Sequence, residues 1–120
     1  MPRDTVTVTG LTQNAGTTIP VGTTITPAND AEIDGSLAER MLIRVTNTHG
    51  TAHPVVIKAG VNPPAFRAGL GDLSVTVPLT SGDVLIPIES ARFMQADGKI
   101  HIDFETDHAG KISAIALPKV

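Results

Sequence analysis

The chain has 120 residues, no cysteine and a formal net charge of −3, with 9 Lys and Arg set against 12 Asp and Glu. That length supports one domain able to bury roughly two-thirds of its unfolded surface, and without cysteine it must do so without disulfides, as expected of a reducing compartment. The scattered cations form no basic stripe, and no Trp or Tyr accompanies the three phenylalanines, so direct nucleic-acid binding and sugar stacking are both disfavoured. No apolar run is long enough to span a bilayer, and the first twenty residues lack the apolar core of a signal peptide, so no membrane association is expected.

In chain order, Thr5-Val6-Thr7-Val8-Thr9 alternates strictly and reads as a short strand. Residues 11–27 are Thr-rich and uncharged, interrupted by Gly16, Pro20, Gly22 and Pro27. Such sequence is extended in character but too broken for a central strand. Residues 1–35 are therefore either edge strands on the domain's own sheet or an extended arm lying across a neighbouring subunit. In the second case Val6, Val8, Leu11, Ile19, Val21 and Ile25 supply its contacts.

The body is expected over residues 36–120. Residues 36–42 contain good helix formers and admit a helical turn. Residues 41–47 predict a strand with Met41, Ile43 and Val45 on one face, and residues 54–59 its return, with Val55 and Ile57 inward. The loop over residues 60–72 holds Pro63, Pro64, Gly69 and Gly71, which forbid regular structure. Strands follow over residues 73–77 and 84–88, separated by a Ser81-Gly82 turn. The pair Asp97-Gly98 between two apolar runs predicts a tight hairpin joining residues 92–96 to 99–105, with Ile100, Ile102 and Phe104 buried and both turn residues at positive φ. Another turn at residues 107–110 leads into a last strand over residues 111–117. There Ile112 falls out of phase with Ile115 and Leu117, which implies a bulge or burial on both faces. Roughly eight strands at this spacing predict an all-β fold, a two-sheet antiparallel β-sandwich of immunoglobulin-like or jelly-roll-like type with an extended N-terminal arm.

Reactive chemistry is sparse. His49 and His53 stand four apart, but Gly50 and Pro54 oppose the helix that would align them as metal ligands. His101 and His108 flank a different turn, so all four histidines read as solvent-facing and no metal or cofactor is expected. Ser81 and Ser90 lie outside any nucleophile elbow, and Asp103 and Glu105 share an outward strand face. Gly69-Leu70-Gly71 lacks the third glycine and following helix of a phosphate cradle. An enzyme is not expected. The loop is the distinctive local feature. Pro64, Phe66, Arg67 and Leu70 either fold back over one end of the sandwich or anchor a partner, Phe66 and Arg67 being of types enriched at interface centres.

The runs Leu42-Ile43-Arg44-Val45-Thr46-Asn47-Thr48, Val55-Val56-Ile57-Lys58-Ala59-Gly60, Gly71-Asp72-Leu73-Ser74-Val75-Thr76-Val77-Pro78, Pro87-Ile88-Glu89-Ser90-Ala91-Arg92-Phe93 and Ala116-Leu117-Pro118 resemble head decoration, or capsid cement, proteins of tailed bacteriophages, particularly those infecting actinobacteria. The resemblance spans residues 41–118 in texture and segment order and does not rest on an invariant motif. It implies a small β-rich virion protein, assembled in the host cytoplasm, that sits on the outer capsid surface. There it would bridge neighbouring major capsid proteins, often as a homotrimer at local threefold positions. The alternatives are a tail or head-fibre base component, or an immunoglobulin-like adhesion or carbohydrate-binding module.

Overall fold

A computed structural model describes residues 3–61 and 65–118. Among these residues ten strands build two mixed sheets packed face to face. They are β1 (Asp4–Val6), β2 (Val8–Gly10), β3 (Thr23–Thr24), β4 (Ala31–Asp34), β5 (Met41–Asn47), β6 (His53–Ile57), β7 (Leu73–Val77), β8 (Gly82–Pro87), β9 (Lys99–Phe104) and β10 (Lys111–Ala116). One sheet runs β1-β4-β9-β6-β7. The other runs β2-β10-β5-β8, with β3 also on β10. Without β1 and β2, the eight strands β3 to β10 form one four-stranded sheet in the order β3-β10-β5-β8 and another in the order β4-β9-β6-β7. That is jelly-roll order, which settles the choice between the two expected sandwich types.

Alternation explains why these segments are strands. In β5, Met41, Ile43, Val45 and Asn47 are buried while Leu42, Arg44 and Thr46 are half-buried on the outer face. Burial alternates in the same way along β6 and β9. The inward side chains, Ile33, Ile43, Val45, Val55, Ile57, Ile100 and Ile102 among them, meet in one core between the sheets. Each fully buried isoleucine there contributes roughly 2–3 kcal/mol of transfer free energy. Ile112, Ala114 and Ala116 of β10 also point inward, and Ser113 is buried on the opposite face. The phase break at Ile112 therefore marks a strand covered on both faces.

Several expectations are corrected. The sheets are not purely antiparallel, because β1 pairs with β4 and β2 with β10 in parallel. Parallel neighbours need long connections, and residues 7–30 provide one between β1 and β4. The strand expected over Thr5-Val6-Thr7-Val8-Thr9 is split at Thr7, β1 joining one sheet and β2 the other. Of the two readings of residues 1–35, the structure has the edge strands, β1 and β2, and not an arm set apart from a body, and β4 lies inside a sheet between β1 and β9. The strand after β5 does not pair with it. β6 crosses to the opposite sheet, as β8 does after β7, so β6 and β7 form the one pairing of consecutive strands among the described residues. A 3₁₀ turn spans Gly35–Arg40, opened by the Asp34 carboxylate accepting from the Ser36 N–H.

The expected first arm of the Asp97-Gly98 hairpin, residues 92–96, is not a strand: it begins in the end of one turn of helix, α1 (Ser90–Phe93), with Phe93 buried, and continues without regular structure. The tight turn itself forms: the Gly98 N–H donates to the Gln95 carbonyl and the Gln95 N–H to that of Lys99. Gly98 alone takes positive φ, at 79°, because the reversal is a turn followed by a left-handed glycine and not one with two left-handed residues.

Candidate functional site

At one end of the sandwich, β5, β6, β9 and the turn before β10 bring three histidines together. Asn47, fully buried at the end of β5, accepts from the His49 N–H and donates to the Thr51 and Pro78 carbonyls, which shapes the loop carrying His49. The His49 Nδ1 lies 2.8 Å from His53 Nε2, and the His53 Nδ1 lies 2.6 Å from Glu105 Oε1. A carboxylate only accepts, so His53 donates from Nδ1 and, as a neutral ring, accepts on Nε2 from His49. The result is a directed chain from His49 through His53 to Glu105. His108 stacks on His53 with ring centroids 5.6 Å apart and meets the edge or face of Phe104 at 5.5 Å.

His108 Nε2 lies 3.0 Å from the Thr46 carbonyl and must donate to it, which leaves Nδ1 bare, buried and unpartnered among the described residues. Burial pushes the His108 imidazole below its usual range, opposed mainly by the Thr46 contact. The expectation of solvent-facing histidines is therefore wrong for His53 and His108, which are 4% and 2% exposed. Their partners, Glu105 and Thr46, are 52 and 62 residues away in sequence. His101 stays apart, 3.2 Å from Asp97. Among the described residues no group of three or more His, Asp or Glu side chains is placed to hold a metal ion. The cluster acts as a polar tie across the end of the core.

The loop before β7 is pinned from beneath. The Arg67 N–H donates to the Ala91 carbonyl at 2.6 Å, and the Arg67 Nε to Glu89 at 2.7 Å. Arg92 donates to the carbonyls of Gly71 and Asp72 at 3.0 and 3.2 Å. Asp72 accepts from Lys58 Nζ and from the Ala59 N–H, and these two partners hold its carboxyl below the usual range, the Ala59 N–H contributing more. Gly60 is required here, because a Cβ would come within 2.1 Å of the Met94 carbonyl oxygen. On this base Phe66 is 73% exposed and Leu70 57% exposed, while Ala65 beside them is fully buried. Phe66 thus projects outward and does not fold over the sandwich end. Pro64 lies outside the described residues.

The N-terminal candidates divide. Val6 and Ile25 have no surface to offer a partner, because their side chains are buried in the core between the sheets. Val8 and Leu11 are half-buried along β10. Ile19 and Val21 are exposed, at 64% and 82%. Ile19 lines a shallow cavity of ≈ 370 Å³ on the outer face of the second sheet with Arg44, Asp83, Leu85 and Ile115. Its polar rim is a two-pronged ion pair, Arg44 Nε and Nη2 donating to the Asp83 oxygens at 3.0 and 2.7 Å. Sequence reasoning missed Leu85 and the histidine tie. Leu85 carries a signal, an apolar residue out of phase with Val84 and Ile86. The tie carries only a local one, Asn47 two residues before His49. No protein-family model, curated protein or solved structure matches this chain.

Proposed function

We propose that this chain is a structural virion protein that binds the outer surface of an icosahedral phage capsid and bridges neighbouring major capsid subunits. The observation that carries the reading is Phe66, an aromatic ring held 73% exposed on a loop whose backbone is tied down on both sides. Covering so large an apolar side chain with a partner removes its area from water, which favours association. On a pinned loop it meets a partner without a further ordering cost, which is how interface anchors act. Exposed Leu70, Ile19 and Val21 offer further apolar contact, so attachment can be spread over more than one capsid subunit. Jelly rolls occur in viral capsid and lectin domains alike, so the fold agrees with the reading without choosing it. On this reading the protein has no catalytic role, and its partners are the capsid protein and further copies of itself.

The test is cosedimentation of the purified chain with DNA-filled heads that lack it. Binding is expected, and Phe66→Ala should weaken it about 30-fold or more, the scale of an interface hot spot. Wild-type protein that ignores heads, or that binds tails alone, would end the capsid reading.

A further inference from the structure

We infer that β7 is a self-association edge, through which two copies of this chain pair antiparallel about a two-fold axis at Val75. Among the described residues four strand edges bound the two sheets, and three are blunted in the ways that edges usually are. β1 has three residues and carries Asp4, with Arg3 beside it bound to Asp103 at 2.7 Å. The β2 and β3 edge is broken into pieces of three and two residues. β8 ends on Pro87 and carries Asp83, tied to Arg44. β7 is different. Its five residues, Leu73-Ser74-Val75-Thr76-Val77, include no charge and no proline, and none takes positive φ. Among the described residues no strand lies beyond it.

The occupant is a second copy because this strand matches its own reverse. With Val75 opposite itself, Leu73 faces Val77 of the partner subunit and Ser74 faces Thr76 of the partner subunit. Apolar residues then meet on the side of the sheet that faces the core, and hydroxyls meet on the solvent side, where Ser74 and Thr76 are exposed. The Ser–Thr pair is a favourable cross-strand pair, and the apolar pair removes area from water. Leu70 and Leu79 stand shortly before and after the strand. These two side chains flank β7 and are 57% and 52% exposed. A five-residue strand pair with such flanks falls below the roughly 1,200 Å² of a standard stable interface, so the dimer is weak and concentration-dependent.

Sedimentation equilibrium on the full chain, taken up to roughly 1 mM, reads this directly. Wild type should pass from monomer to dimer. Two double variants at the same exposed positions test the register. S74K/T76K sets lysine against lysine at both cross-strand pairs and should abolish the dimer. S74K/T76E sets lysine against glutamate and should tighten it about two- to ten-fold. Unchanged melting temperatures confirm that each variant is folded. Wild type that stays monomeric throughout, or an assembly equally indifferent to both variants, overturns the inference. Neither result bears on capsid binding, which is read on heads.

Discussion

His108 shows how one side chain can make the fold sensitive to acid. Its ring is enclosed, donates to Thr46 and has no partner for a second proton among the described residues. In the unfolded chain the imidazole titrates near 6.5, whereas in the fold it titrates lower. Above that pH the ring is neutral in both states and stability does not depend on it. As pH falls below 6.5 the unfolded chain takes up a proton that the folded chain refuses, so stability is lost progressively until the folded value is reached. Urea unfolding between pH 8 and 5 should show this decline. His108→Gln, whose amide can still donate to Thr46, should flatten it. Gly60 makes a steric counterpart. Gly60→Ala drives a methyl group into the Met94 carbonyl and the Ala65 side chain, and should cost about 2–3 kcal/mol in the same measurement.

At the scale of elements, the N-terminal third sorts residues that look alike in sequence. Ile19 and Ile25 sit in the same uncharged Thr-rich stretch, yet one is 64% exposed and the other 5%. Ile25→Ala should cost about 2–4 kcal/mol of unfolding free energy. Ile19→Ala should stay within about 0.5 kcal/mol. Equal effects would mean that the segment packs otherwise. Strand positions and inward faces were legible wherever alternation was clean, as in β5, β7 and β9, because burial on one face leaves a period of two in the sequence. Partnership was not legible. Nothing in the pattern of β6 states whether it returns beside β5 or crosses to the other sheet, since both solutions bury Val55 and Ile57. The short helix Ser90–Phe93 left too few residues for a helical period to show. The exposed loop was readable from its prolines and glycines. The histidine tie was not, because polar side chains are buried only when distant partners satisfy them.

For the whole molecule, the consequence is that the N-terminal strands belong to the fold. Removing residues 1–27 would take away β1, β2 and β3 together with Val6 and Ile25 from the core. Such a truncation should lose its cooperative thermal transition. Replacing residues 12–21 with a Gly-Ser linker of equal length should leave the melting temperature nearly unchanged, since their side chains are exposed apart from that of Pro20. The pair of variants separates a dispensable excursion from an indispensable frame, and calorimetry distinguishes them in one experiment each.

The passage of the chain from one sheet to the other at Thr7 also decides how the molecule would bear tension. A pull applied upstream of β1 and downstream of β10 is met first by β1 through its pairing with β4, and then by β2, whose beginning is drawn against the end of its parallel neighbour β10. Parallel strands loaded in that way shear, so that their hydrogen bonds must fail together instead of peeling one after another. Tension along the chain would therefore meet the fold in shear and not in peeling.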